Sequence, residues 1–444
     1  MRSGSRLARV AAGTGLWELT ALYAASAAVC CLLASRANAD FVDLHVYRTG
    51  AEAVLHGGSL YVVQYRGLPF TYPPFAAVAF SAVAILPWRL AAGFVELISA
   101  VCVPAMLYFA LRLRPVSGWL RRADATRLAL AAGTVALWLE PVRSTLGFGQ
   151  VNLVLAVLIL ADLALPDSSP VKGAGVGIAA GIKLTPLIFA VYLVVTRRYR
   201  AAGLAAAGFA VTVAAGYFLA PGASAHYFWD GNFLRTANIS PVFNDWNQSL
   251  LGAVSRDIGR VPGPWWFLLL LAVAAAGLAL AARSGRRGDD ATGFGLTAIT
   301  GLLVSPISWT HHWVIAVPAL MLATVVAWRC RPEWPGRSRI WLAGIAVLAV
   351  AGWSGIARRE PKVPAAGWLH LSPVWLADSQ LYVAAGLIVL LIAAWQVLRH
   401  RLGRDWHDRI QAGSQAADEP AGARRAAGRP DSRPEPGPMP SRRR

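Results

Sequence analysis

Long apolar runs recur along almost the whole chain, separated by short segments rich in arginine. In lipid, only α-helices and closed β-barrels satisfy every backbone polar group, and barrel strands would alternate apolar with polar residues. Continuous runs of about 12 to 24 apolar residues instead match helices that enter or cross a bilayer. Hydrophobic residues make up 56% of the chain, which is above the share typical of soluble domains. The sequence therefore predicts an all-α, polytopic membrane protein with about ten to twelve membrane helices.

The net charge of +19 over 444 residues comes from arginines between the apolar runs and after residue 400. Cytoplasmic loops carry such an excess, so the charge indicates a multi-pass plasma-membrane protein rather than one that binds nucleic acid. Arg2, Arg6 and Arg9 precede the first apolar run, residues 17–34, which lacks a small-residue cleavage site and is predicted to be a retained helix. We therefore expect a cytoplasmic N-terminus and an outside loop after this helix. The four cysteines show neither a disulfide framework nor metal-ligand spacing.

The membrane part is expected to occupy residues 1–400, followed by a basic tail over residues 401–444. The tail buries too little apolar surface to fold, so we predict a disordered cytoplasmic segment that touches anionic lipid. Helix counting leaves one conflict. The basic linker at residues 112–127 belongs inside by its charge, but it falls outside if every earlier run spans the membrane. We therefore expect a short run, 75–86 or 173–182, to be a re-entrant half-helix.

A patterned polar stretch, residues 40–75, follows the first apolar run. It opens with Asp40 and Asp43 and continues as a short amphipathic helix that ends at the glycine pair 57–58. A carboxylate at the membrane boundary can act as a general base, although a solvated loop charge is the plain alternative. His45, Tyr47 and Arg48 crowd around Asp43 and favour it as the working group, whereas Asp40 is closer to an ordinary charge.

Two further sites combine charge or imidazole with apolar surroundings. Lys183 interrupts an apolar run, and because a charge inside the membrane is costly, we interpret it as functional. Its side chain could also extend to the membrane interface. His311 and His312 are adjacent and could bind a phosphate, pair with a carboxylate or only pack among tryptophans. Metal binding is disfavoured, because neighbouring side chains on a helix point about 100° apart.

Amides form the remaining candidates. Gln150 and Asn152 stand at the start of a predicted helix, where they could bind sugar hydroxyls or cap the helix. Asn247 and Gln248 lie in a long loop with Trp246, and Arg235 precedes them. This loop could bind carbohydrate and phosphate, or it could be an ordinary external loop with an interfacial tryptophan.

Six segments between residues 43 and 313 resemble those of a known family in their number and order. They are DLHVYRTGAEAVLHGGSLY, LPFTYPPFAAVAF, GFGQVN, AAGIKLTP, NDWNQSLLGAVSR and SPISWTHHW. In these segments the chain resembles the polyprenyl-phosphate-mannose-dependent α-1,2-mannosyltransferases of actinobacteria, which form glycosyltransferase family 87 within the GT-C superfamily.

The resemblance implies a GT-C fold with its active site on the extracytoplasmic face. It implies a polyprenyl-phosphate-mannose donor, a lipid-anchored mannoside acceptor and an inverting displacement with Asp43 as general base. No metal or other cofactor is expected, since polyprenyl phosphate is already a good leaving group. Donor-phosphate contacts are expected from Lys183, His311, His312 and Arg235. Sugar or acceptor contacts are expected from Asp40, Tyr47, Arg48, Tyr72, Gln150, Asn152, Asn247 and Gln248.

Three alternatives remain at this stage. The same architecture could accept another lipid-linked sugar, such as arabinofuranose or glucose. A flippase or secondary transporter for lipid-linked sugars would instead show internal repeats and polar residues spread through midplane helices, whereas polar groups here concentrate in loops and at helix ends. A membrane scaffold would leave the cluster around Asp43 and the histidine pair without a reason.

Overall fold

The computed structural model describes residues 15–37, 41–234, 242–329 and 380–397. Their helices, in chain order, are α1 (Leu16–Ala37), α2 (Val42–Leu55), α3 (Pro74–Ala84), α4 (Trp88–Leu111), α5 (Arg122–Ala136), α6 (Glu140–Phe148), α7 (Asn152–Ala164), α8 (Ala174–Ile182), α9 (Leu187–Val195), α10 (Tyr199–Leu219), α11 (Pro221–Phe228), α12 (Leu250–Ile258), α13 (Trp266–Arg286), α14 (Asp290–Val304), α15 (Ala316–Arg329) and α16 (Leu381–Val397). Short 3₁₀ helices occur at Val116–Gly118, Asn232–Leu234 and Thr310–Ile315.

One small hairpin interrupts this helical pattern. Strands β1 (Gln64–Tyr65) and β2 (Leu68–Pro69) pair antiparallel in the loop between α2 and α3. As the sequence predicted, α2 ends just before Gly57, which adopts a positive φ of 68°.

The helices confirm an all-α, polytopic membrane protein. Within the described residues, five helices are long and apolar enough to cross a bilayer: α1, α4, α10, α13 and the continuous segment Thr310–Arg329. The pair α6 and α7, which bends by 118°, would make a sixth. The predicted tail at 401–444 lies outside the described residues, as does the predicted boundary near residue 400. By contacts, the chain divides into Met1–Leu390 and Leu391–Arg444.

The segment formed by α8 and α9 is re-entrant. Lys172 Nζ, just before α8, lies 3.2 Å from a carboxylate oxygen of Asp167, and Arg198 Nε, just after α9, lies 3.2 Å from the same oxygen. Since both ends of the segment bind one aspartate, the chain enters and leaves at the same face. This is one of the two places where charge counting predicted a half-helix.

The disputed basic linker lies at this same face. Arg114 Nε lies 2.8 Å from Asp290, and its Nη2 lies 3.1 Å from Asp167. Arg286 completes the grouping, because its Nε donates to the carbonyl of Val195 at 2.8 Å. The loops around residues 112–127, 167–172, 196–200 and 286–290 therefore form a common basic face.

The helix α3 stays at the opposite end of the molecule. Arg48 in α2 donates through Nη1 to the carbonyls of Val83 and Leu86, at 2.9 and 2.8 Å, and so ties α3 alongside α2. Trp88, which begins α4, stacks on His45 of α2 with ring centroids 3.7 Å apart. From there α4 runs about 36 Å to the basic linker. With α3 on the face of α2, only α1 and α4 cross before the linker, so the helix count returns the linker to the side where α1 begins, as its charge predicts. Because α8 and α9 turn back, the basic loop at residues 196–200 stays on that same side.

Close backbone packing holds the re-entrant segment in place. A Cβ at Gly177 of α8 would lie 2.8 Å from the backbone nitrogen of Phe209 in α10, closer than real Cβ atoms approach. The glycine therefore lets the two helices meet at backbone distance, as small residues do in membrane helix pairs.

We predict that Gly177→Ala lowers the unfolding temperature, because overpacking a tight helix contact costs about 1–3 kcal/mol. Gly203→Ala is the matched control, since a Cβ at that position of α10 would meet nothing within 4 Å. Thermal unfolding in detergent measures both variants. Equal behaviour of the two would contradict this account of the contact.

Candidate active site

Asp43 lies in the first turn of α2, with its carboxylate turned into the protein. Its Oδ2 accepts a hydrogen bond of 2.7 Å from Nε2 of Gln150. Gln150 reaches this position because Gly149 ends α6 in the left-handed region, with φ at 66°. A Cβ on Gly149 would lie 2.8 Å from Cβ of Leu44, so only glycine lets the corner between α6 and α7 approach α2 this closely.

Two tyrosines orient the amide that binds Asp43. Tyr47 donates its hydroxyl proton to Oε1 of Gln150 at 2.7 Å, which leaves the amide nitrogen facing Asp43. The hydroxyl oxygens of Tyr47 and Tyr72 are 3.1 Å apart. Burial raises the pKa of Tyr47, so this phenol stays protonated and keeps donating.

The surroundings of Asp43 suit a base that works near neutral pH. Burial raises the pKa of Asp43 to about 6, while the hydrogen bond from Gln150 and the charge of Lys183 act in the opposite direction. A carboxylate with this pKa is ionised at pH 7 yet is a better proton acceptor than a solvated one. The reading of Asp43 as an ordinary loop charge does not fit this burial.

Lys183 approaches the same site from the break between α8 and α9. Its Nζ donates to Oδ1 of Asn152 at 3.0 Å and lies 2.9 Å from Nε2 of His312. The ammonium also lies 5.6 Å from the centre of the Tyr72 ring, within cation–π range. The side chain therefore turns into the protein rather than toward a membrane interface.

The adjacent histidines face different partners, as expected for neighbours on a helix. His312 contacts Lys183, whereas the ring of His311 packs edge-on against Phe148 at 5.3 Å. The backbone carbonyl of His311 accepts hydrogen bonds from Thr145 and Asn152, at 3.2 and 3.4 Å. The Nε2 atom of His311 is buried and has no hydrogen-bond partner within the described residues. It is thus available for a ligand.

A narrow cavity of about 60 Å³ opens beside Lys183 and His312. Its lining includes polar residues: Asn152, Lys183, Ser305, Ser308 and His312. It also includes apolar side chains from α7, α9 and α14, among them Leu155, Ile159, Ile188, Phe189 and Leu302. This amphiphilic lining suits a ligand with a charged head and a hydrocarbon chain.

The expected sugar contacts of Asn247 and Gln248 do not match their geometry. Both side chains are fully buried. Asn247 Oδ1 accepts from the backbone N–H of Ser308 at 2.9 Å, and Gln248 Nε2 donates to the carbonyl of Asp245 at 2.8 Å. These amides hold the loop before α12 against the loop that carries the histidines. Arg48 likewise serves packing, because its guanidinium is occupied by carbonyls at the end of α3.

Glu140 is a buried acid that the sequence analysis missed. Its Oε1 accepts from Thr310 at 3.0 Å, and its Oε2 accepts from the hydroxyl of Tyr382 at 2.9 Å. Ser144 also donates to Oε1. One carboxylate thus links α6, the residue before His311 and the start of α16. An acid inside the apolar stretch LWLEPV was the available signal. Asp40 and Arg235 lie outside the described residues.

The fold and the site define a class: a membrane-embedded enzyme with a carboxylate, a lysine and a histidine pair gathered inside the protein at one end of its helices. The model of glycosyltransferase family 87 matches residues 70–306. The histidine pair follows the end of that range by five and six residues, and Asp43 precedes its start by 27 residues. The chain therefore belongs to glycosyltransferase family 87, and this membership overturns the transporter and scaffold alternatives.

Characterised relatives extend the match over most of the chain. The polyprenol-phosphate-mannose-dependent alpha-(1-2)-phosphatidylinositol pentamannoside mannosyltransferase of Mycobacterium tuberculosis is 36% identical over 80% of this chain and 81% of its own. The corresponding phosphatidylinositol mannoside mannosyltransferase of Mycolicibacterium smegmatis is 34% identical over 78% and 84%. Among solved structures, apo ArnT from Cupriavidus metallidurans covers 84% of this chain and 76% of its own, with 19% identity and a TM-score of 0.36, a likeness too weak to carry an argument.

We predict that Gln150→Leu moves the acid limb of the pH–rate profile to higher pH. The hydrogen bond from Gln150 lowers the pKa of Asp43, so its loss raises that pKa. A higher pH is then needed to deprotonate the carboxyl group. The measurement is kcat/KM for glycosyl transfer between pH 5 and 8. Gln64→Leu, at an exposed position of β1, is the control and should keep the wild-type limb. An unshifted or lowered limb in Gln150→Leu would contradict the assignment.

Proposed function

We propose that this chain transfers mannose from polyprenyl-phosphate-mannose to a mannosylated glycolipid in α-1,2 linkage, with Asp43 as general base. The observation that carries the proposal is the partly buried carboxylate of Asp43, which accepts a hydrogen bond from Gln150 and interacts with the charge of Lys183 inside the protein. Both mycobacterial relatives are named for the same donor and for phosphatidylinositol mannoside acceptors. They favour mannose over arabinofuranose or glucose.

The site supports a single displacement. Asp43 takes the proton from the acceptor hydroxyl as that oxygen attacks the anomeric carbon of the donor mannose. The bond between this carbon and the phosphate oxygen breaks, and its electron pair leaves with the polyprenyl phosphate. The new glycosidic bond forms on the face opposite the leaving group, so the linkage inverts. The proton remains on Asp43 until it exchanges with solvent.

Lys183 is placed to stabilise the leaving phosphate. Two neighbours, Asn152 and His312, account for two of its three N–H directions, which leaves one for a ligand oxygen. Charge develops on the phosphate as the bond breaks, and a preorganised cation in a low-dielectric site stabilises that charge strongly. The apolar cavity next to Lys183 would receive the first part of the prenyl chain.

The distribution of charge supports an extracytoplasmic active site. The basic loops around residues 112–127, 196–200 and 286–290 share the face opposite α2. Under the positive-inside rule this basic face is cytoplasmic, which places Asp43 and its surroundings outside. A donor that carries its sugar on a membrane-anchored lipid fits such a location.

We predict that Asp43→Asn lowers kcat for mannose transfer by about 10²–10⁴-fold, since the asparagine amide cannot accept the proton. Purified protein in nanodiscs would receive polyprenyl-phosphate-mannose and short mannosylated lipids. Donor binding and the unfolding temperature should stay close to wild type. Substantial residual transfer by this variant would reject Asp43 as the base.

Sidedness is testable with single cysteines in a background that lacks the four native ones. We predict that a membrane-impermeant maleimide labels Ser59→Cys in intact cells, because this exposed residue lies in the loop after α2. Ser168→Cys, exposed at the basic face, should react only after the membrane is permeabilised. The reverse pattern would place the site in the cytoplasm.

A further inference from the structure

An exposed tryptophan is connected to His311 through one intervening aromatic ring. Trp246 is 43% exposed, and its indole lies 6.3 Å from the ring of Phe148. The ring of Phe148 in turn lies 5.3 Å from that of His311. A continuous set of aromatic rings therefore leads from the surface to the imidazole whose buried Nε2 has no partner among the described residues.

The loop that carries Trp246 is fixed to the site. The backbone N–H of Trp246 donates to Oδ1 of Asn244 at 2.9 Å. The next two residues anchor the loop: Asn247 Oδ1 accepts from the N–H of Ser308 at 2.9 Å, and the N–H of Gln248 donates to the carbonyl of Ser308 at 2.7 Å. A rigidly held aromatic surface loses little conformational entropy on binding, which favours recognition.

A tryptophan of the membrane interface is the competing explanation, because such belts are common. Trp229 provides the comparison, at 81% exposure and at the C-terminal end of α11. None of the ring contacts among the described residues joins Trp229 to Phe148 or to either histidine. Of these two tryptophans, Trp246 alone combines exposure with ring contacts that lead to His311.

We infer that Trp246 is a stacking platform for a pyranose ring of the acceptor. This inference rests on the proposed function, and it names the acceptor's sugar as the class of ligand. A hexopyranose presents one face of C–H groups, which packs on an indole while its hydroxyls stay hydrated. The donor phosphate is assigned to Lys183 and His312, and the ring of His311 stands at 85° to that of His312. The surface beyond His311 is therefore left for the acceptor.

The test measures sugar binding separately from transfer. Octyl α-1,2-mannobioside is titrated into the full-length protein in detergent by calorimetry, and the same probe is supplied as acceptor with polyprenyl-phosphate-mannose. We expect Trp246→Ala to raise the Kd of the mannobioside about tenfold, and Trp246→Phe to raise it less, in line with the strength of aromatic contacts. Trp229→Ala is the matched control and should bind like wild type. The KM for the donor should not change in any of the three variants.

Two results would overturn the inference: an unchanged Kd in Trp246→Ala, or an equal loss in Trp229→Ala, which would reduce both residues to interfacial anchors. The proposed function fails separately, if wild type binds the mannobioside through Trp246 yet transfers no mannose to it or to mannosylated lipids. In that case the pyranose site stands and the assigned reaction does not.

Discussion

A lysine held in the interior of a membrane protein is costly, and much of this structure serves to hold Lys183 there. The helix α8 ends at Ile182 and α9 begins at Leu187, so Lys183 lies in a break between two half-helices. Asn152 and His312 then supply polar partners from two other segments, and the nearby carboxylate of Asp43 supplies the opposite charge. The lysine is tolerable only because four separate parts of the chain meet around it.

A second set of charges lies at the other end of the re-entrant segment and holds that segment in position. Asp167 binds both Lys172 and Arg198, the residues on either side of the re-entrant segment, and Asp290 binds Arg198 and Arg114. Such pairs add little stability when exposed, but these close a loop whose tip carries Lys183. The backbone contact between α8 and α10 fixes the same segment sideways. Ion pairs at one face thus determine where a functional side chain lies at the other.

The site itself depends on amides and hydroxyls that bind other side chains of the protein. Tyr47 orients Gln150, which orients and tunes Asp43. Glu140 does the same for the histidine segment by binding Thr310, while Asn247 holds the adjoining loop. Fully buried polar groups of this kind favour one geometry, since each lost partner leaves an unsatisfied group in a low-dielectric interior. These residues explain how a site built from loops and helix ends can be rigid.

The sequence by itself determined the all-α membrane class, the polar stretch that carries Asp43 and the break at Lys183, because hydrophobic length and local residue chemistry are properties of the chain alone. Family motifs further gave the reaction class. Only the tertiary structure decided that α3 stays at one face and that α8 and α9 turn back. Their apolar runs of eleven and nine residues have the same sequence pattern whether they form part of a span, a half-helix or a surface helix. Likewise, Gln150 and Asn247 are both amides within two residues of an aromatic in sequence, yet one donates to the carboxylate of Asp43 and the other braces a loop. That difference depends on which distant segment each amide meets, and local sequence does not contain this information.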